Sequence, residues 1–222
     1  MIEKQLNELL SKTKHTFTKN DFQLLLEKNN LKVSDTALRQ RIFYLKKKGI
    51  LQSVKRGVYS MEVKNDYIPV VDTFLNKVRN IFVSKYPEIN YCIWSTHWLS
   101  EFMVHQPFRS FYVFETESDM IDIAFNLLKE KGCRTFLSPD LNIMQNYVVE
   151  EDKSIVIKKL ITRSPLKIIK NINVPSIEKI LVDIFCDNQI FYFYQGTEIE
   201  YIFNTAMKMY KVNHSLLFRY AT

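Results

Sequence analysis

The surplus positive charge of this chain is confined to its first 66 residues, which hold 14 Lys and Arg against 7 Asp and Glu, while residues 67–222 hold 17 of each sign. One core with one uniform surface gives no reason for such a step, and 222 residues suffice for two ordinary domains. The step therefore predicts a boundary in the polar stretch Lys64-Asn65-Asp66-Tyr67-Ile68-Pro69, with a basic domain over 1–66 and a neutral one over 67–222. Charge packed into a small segment is the electrostatic footprint of a polyanion partner. A hydrophobic content of 46% with 25% charged residues argues against a mainly disordered chain. No apolar run reaches the roughly 20 residues of a membrane span. The N-terminus MIEKQLNELLSK alternates charge with Leu, as an amphipathic helix does and a signal peptide does not, so a cytosolic (cytoplasmic) chain is expected. Cys92, Cys133 and Cys186 are odd in number and widely spaced, which predicts reduced thiols and no zinc knuckle.

Four glycines narrow the chemistry further. Gly49 and Gly132 each follow a lysine-rich stretch, as glycines just past a helix C-terminus do. Gly57 lies in the turn candidate Lys55-Arg56-Gly57, and Gly196 in Gln195-Gly196-Thr197. None remains for a phosphate-cradling loop, so neither a Walker A nor a dinucleotide fingerprint is present, and no cofactor is expected.

Within the basic segment, Ile2, Leu6, Leu9 and Leu10 share one face of a first helix. Thr18 and Asp21 offer a capping box for a second, with Phe22, Leu25 and Leu26 as its buried stripe. Ser34 suits the N-cap of a third, in which Leu38, Ile42 and Leu45 must face the core. At about 100° per residue, Thr36, Gln40, Phe43 and Lys47 then point away from the core, with Arg39, Tyr44 and Lys46 on the flanks. Residues 50–54 and 58–61 read as two short strands around the basic turn.

Three helices followed by a hairpin, with a basic third helix and a Lys-Arg tip, resemble the winged helix-turn-helix of transcription regulators over residues 1–62. The resemblance implies binding to double-stranded DNA. Gln40 suits an adenine edge and Arg39 a guanine edge, while Lys46, Lys47, Lys48, Lys55 and Arg56 neutralise phosphates. The competing reading is a solvated lysine face on a protein-docking module.

The remainder alternates helical and strand patterns, which predicts an α+β protein whose larger, mixed α/β domain ends in helices. Pro69 suits a helix start ahead of Val70, Val71, Phe74, Val78, Ile81 and Phe82. Residues 91–94, 111–114, 147–149 and 155–157 read as strands, and residues 96–103 and 121–131 as helices. Pro175 suits the first position of another helix through Ile177, Ile180, Leu181 and Ile184, and a last stripe runs through Ile199, Ile202, Phe203, Ala206 and Tyr210. The run Phe191-Tyr192-Phe193-Tyr194 is either buried or an assembly surface.

Three patterns could carry chemistry. Glu115 and Glu117, two apart at a strand end, match the way nucleotidyltransferases present carboxylates to a divalent metal. Those enzymes place a Gly-Ser turn upstream, and here the region is Trp94-Ser95-Thr96-His97. The plain alternative is a strand end capped by solvated acids. His97 and Glu101 share a helix face, with His105 beyond, but lack a third ligand at fixed spacing, so no metal site is expected. Glu178 and Asp183 diverge by about 140° on one helix and form no dyad by themselves.

The segment Val174-Pro175-Ser176-Ile177-Glu178-Lys179-Ile180-Leu181-Val182-Asp183 resembles the Pro-x-x-Glu-Lys/Arg-x-Leu-x-Asp stretch of AbiEi-type proteins, as does the closing Asn213-His214-Ser215-Leu216-Leu217-Phe218-Arg219-Tyr220-Ala221. Members of that family are antitoxins and autorepressors of bacterial abortive-infection toxin–antitoxin pairs. The resemblance implies a non-catalytic chain whose N-terminal domain represses its own operon and whose C-terminal domain serves antitoxicity. The toxin of such a pair is a nucleotidyltransferase, and antitoxicity need not involve contact with it. Relatives are expected to continue with arginines past the position of Thr222, so no role of such a tail is carried over. The alternative is a winged-helix protein with a metal-dependent nucleotidyltransferase built on Glu115 and Glu117.

Overall fold

The computed structural model describes residues 16–47, 50–60, 64–105 and 109–222. The helix expected over residues 2–12 lies outside them, as do Lys48, Gly49 and Met61. The protein is mixed α+β. It divides into two compact units, one of Met1–Asp66 with Tyr210–Ser215, the other of Tyr67–Met209 with Leu216–Thr222. The charge step thus falls where the first unit gives way to the second, but it gives no sign that residues 210–215 return to the first.

In the first unit the order is β1 (Thr16–Thr18), α1 (Lys19–Lys28), α2 (Asp35–Lys47), β2 (Gln52–Lys55) and β3 (Val58–Ser60). Thr18 closes the capping box, its Oγ1 accepting from the Asp21 amide at 3.2 Å and its own amide donating to Asp21 Oδ2 at 2.8 Å. Ser34 Oγ accepts from the Ala37 amide at 3.3 Å and starts α2. Phe22 and Leu26 of α1 meet Leu38, Ile42 and Leu45 of α2 in one core with Phe17 and Leu51, while Leu25 lies at its edge. β1 adds to β3, giving an antiparallel sheet in the order β1-β3-β2. Its tip is Arg56-Gly57, where glycine supplies the positive φ of +76° that the turn requires. The returning segment is tied to this unit by a bridge between Asn65 and Tyr210 and by the Lys211 amide, which donates to Asn65 O at 3.0 Å.

The second unit is built on a four-stranded sheet of β4 (Tyr91–Ser95), β5 (Tyr112–Thr116), β6 (Thr135–Leu137) and β7 (Ile155–Lys159), in the order β4-β5-β7-β6. β4 and β5 are antiparallel, and β5-β7 and β6-β7 are parallel. Every residue of β4 and β5 is buried, which explains why they read as unbroken apolar runs without alternation. One face of the sheet carries α3 (Thr73–Val83), through Phe74 against Tyr112 and Phe82 against Phe114, together with α4 (Ile121–Glu130). A helix of 3-10 type, Thr96–Phe102, follows β4 where a helix over residues 96–103 is expected. A two-stranded hairpin, β8 (Leu166–Ile169) and β9 (Ile172–Pro175), runs beside β4 and leads into α5 (Ile177–Cys186). Next come a turn at Tyr192–Tyr194, α6 (Thr197–Met209) and α7 (His214–Ala221).

Several sequence expectations need correction. α3 begins after Pro69, Val70 and Val71, because Asp72 takes the N-cap, its Oδ1 accepting from the Leu75 amide at 2.8 Å. Pro175 closes β9 opposite Leu166, and Ser176 is the cap of α5. The strand expected over residues 147–149 is replaced by a wide helical turn, Met144–Val148, whose buried residues Met144 and Val148 stand one helical turn apart behind the Asp140 cap. The aromatic run is split, with Phe191 and Tyr194 buried and Phe193 exposed.

Candidate functional site

The buried stripe Leu38, Ile42 and Leu45 fixes which way α2 faces, and so presents Thr36, Arg39, Gln40, Phe43, Tyr44, Lys46 and Lys47 to solvent. Lys55 and Arg56 are exposed at the hairpin tip. Lys48 is outside the described residues. Phe43 and Tyr44 are 64% and 63% exposed and meet edge-on, two large aromatic rings where a plain solvated face would carry none. Arg39 is held along its own helix, its Nε at 2.9 Å from Asp35 Oδ2. A hydrogen bond from Lys19, with Arg39 beside it, holds the Asp35 carboxyl below the usual carboxylate range. A base contact by Arg39 must displace that pairing, which on so exposed a pair costs little. Lys46, from α2, and Lys55 and Arg56, from the hairpin, line one cavity together with residues of the 211–215 segment.

In the second unit the structure overturns the picture of a solvated acid at the strand end for Glu115, while Glu117 is half-buried. Glu115 is 1% exposed and points from β5 to Lys179 of α5, whose Nζ lies 2.8 Å from Glu115 Oε2 and 3.0 Å from Oε1. Lys179 also donates to Asp183 Oδ2 at 2.5 Å and to the Tyr220 hydroxyl at 3.1 Å, and Tyr220 donates to Asp183 Oδ1 at 2.9 Å. Glu117 lies beyond the end of β5 and accepts from Asn90 Nδ2 at 2.6 Å. The two carboxylates are therefore committed to different partners. Burial pushes the Glu115 carboxyl up, with Lys179 opposing. Burial alone would lower the Lys179 ammonium, but Glu115 and Asp183 outweigh it and hold the proton on. Among the described residues no group of three or more His, Cys, Asp and Glu is placed to hold a metal ion. His105 of the His97, Glu101 and His105 pattern faces Glu198, at 2.9 Å.

Sequence reasoning missed this cluster and Lys211. The signal for the cluster was the i, i+4 pair Lys179 and Asp183 inside the otherwise apolar Ile180-Leu181-Val182 stretch, where two charges one turn apart mark a buried pairing. Lys211 carried no local signal, since its place depends on a segment that comes back to the first unit.

The chain belongs to DUF6577, a family of unknown function, whose sequence model matches residues 37–222, from within α2 through the second unit. No curated protein matches it.

Proposed function

We propose that the chain is a winged-helix, DNA-binding regulator of its own operon, the antitoxin half of a toxin–antitoxin pair, and carries no catalytic activity. The observation that carries the reading is the exposed face of α2 and the hairpin tip, where polar, aromatic and cationic side chains stand opposite a wholly apolar stripe. The arrangement of α1, α2 and a hairpin whose second strand is joined by β1 supports a winged helix. In this reading α2 enters the major groove, Gln40 meets an adenine edge, and Phe43 offers apolar contact to a thymine methyl. Lys46, Lys47, Lys55 and Arg56 neutralise phosphates, which position the helix without reading sequence.

Supporting a non-catalytic second unit is the engagement of Glu115. A metal-dependent nucleotidyltransferase needs its carboxylates at the rim of a cleft, whereas Glu115 is enclosed with Lys179. Lys179 and Asp183, two of the residues that carry the AbiEi resemblance, both belong to that enclosed cluster, which supports a stabilising role for them in the domain. The toxin is then a nucleotidyltransferase encoded by a neighbouring reading frame.

The test is a titration of duplex DNA from the region upstream of the coding sequence, at several salt concentrations. The intact chain should bind with log K falling linearly in log salt, and Lys55→Ala with Arg56→Ala should lower the slope by roughly 0.9 for each phosphate no longer neutralised. Affinity and slope both unchanged in the double variant would rule the reading out.

A further inference from the structure

The cavity of about 420 Å³ in the first unit is lined by Lys46, Lys55, Arg56 and Lys211, with Ser53 and Asn213 among its neutral walls and, among the described residues, no acidic one. These side chains come from α2, from the hairpin and from the segment that returns after α6. The size falls in the roughly 300–1,000 Å³ range of sites for small molecules. Among the described residues, none of the four cations has an acidic partner at ion-pair distance. Elsewhere in the chain comparable cations are paired: Lys19 and Arg39 with Asp35, Lys158 with Asp187, and Arg134 with Glu151. Four unpaired cations around one concavity repel one another, and an anion with several charged oxygens relieves the repulsion. Arg56 supplies a planar fork suited to two phosphate oxygens, the lysines supply point charges, and Ser53 and Asn213 can donate neutral hydrogen bonds. His214, beside the cavity wall, reports the same field: burial pushes its imidazolium down, and Lys64 and Lys55 push it further.

We propose that this cavity is a binding site for a phosphate-bearing ligand, taking adjacent phosphate groups between the hairpin and the returning segment. Lys211 is the residue that sets it apart from the α2 face, because no reading of the basic N-terminal segment alone includes it. The proposal does not depend on sequence readout by α2. Adjacent phosphates come either from the backbone of a nucleic acid or from a free phosphorylated small molecule, and the two sources separate experimentally.

The first measurement is calorimetric titration of the intact chain with inorganic pyrophosphate at constant ionic strength, comparing Lys211→Ala with Lys28→Ala, an exposed lysine of the same unit outside the cavity. Lys211 is itself exposed, so its truncation leaves the core intact, which a thermal melt verifies. The second is the salt dependence of duplex binding by the same two variants. One pyrophosphate per chain, weakened about tenfold by Lys211→Ala and unmoved by Lys28→Ala, supports the site. If duplex binding also loses about 0.9 from its salt slope in Lys211→Ala, the occupant is backbone phosphate. If the duplex is indifferent, or does not bind at all, while pyrophosphate does, the occupant is a free ligand and only the DNA reading is affected. A reduced duplex slope without pyrophosphate binding likewise supports backbone phosphate. No saturable pyrophosphate binding together with an unchanged duplex slope overturns the proposal.

Discussion

Lys179 has three N–H donors and three acceptors within reach, so a wholly buried ammonium is left with nothing unsatisfied. Its value to the fold lies mainly in what its removal would expose. Lys179→Met leaves Glu115 and Asp183 buried without a counter-charge, and the expected cost is about 3–5 kcal/mol in urea unfolding. Adding Glu115→Gln and Asp183→Asn should recover most of that, because the uncompensated charges go with it. A single variant as stable as the parent would show that the cluster is open to water. From sequence, Glu115 looks like half of a metal site because its partner stands 64 residues away, and strand alternation specifies a face without specifying what lies across it. The caps at Thr18 and Ser34, by contrast, are legible because both partners of each hydrogen bond lie within three residues.

Among the elements, the hairpin β8–β9 carries no turn glycine to announce it in the sequence. Its two-residue connection is Lys170-Asn171, with φ of 49° and 62°, the pair of left-handed conformations that a type I′ turn demands. Asn171 tolerates that region, and lysine does so at a cost. Replacing the pair with Asn-Gly should stabilise the second unit by about 1 kcal/mol, measured as a shift of the denaturant midpoint at constant m-value. A lower midpoint would mean that the Lys170 side chain contributes contacts outweighing the strain. The wide turn at Met144–Val148 misleads in the opposite sense, since Tyr147-Val148-Val149 has strand-forming side chains while the burial of Met144 and Val148 follows helical spacing. Strongly patterned helices such as α4 and α5 are legible because their apolar periodicity is kept along their whole length of 10 residues each, although α5 starts one residue after its cap at Ser176 and not at Pro175.

For the whole molecule, the two units should respond differently to alkali. Lys179 holds its proton more tightly in the folded than in the unfolded chain, so its contribution is complete below the ordinary lysine value of about 10.4 and is lost as pH rises beyond it. Tyr220 acts in the same direction: burial and then Asp183 push its hydroxyl up to about 12. Trp94 and Trp98 are the chain's two tryptophans and both belong to the second unit, so their fluorescence follows that unit alone. The expected outcome is a fall in its stability above about pH 10, flattened in the Lys179→Met, Glu115→Gln, Asp183→Asn variant. An identical alkaline profile in parent and variant would assign the fall to other groups. The charge step in the sequence locates where the units part at Asp66, yet residues 210–215 carry no compositional mark of their return.

The bridge between Asn65 and Tyr210 closes a circuit in the chain. Everything from Tyr67 to Met209 is inserted between two portions of the first unit. That unit, though encoded first, cannot be completed during synthesis until its last strap, through Ser215, has left the ribosome. A chain cut short within the second unit would therefore lack Lys211 and the segment that carries it. The order of translation thus makes the finished cationic cavity a mark of a chain synthesised at least through Ser215.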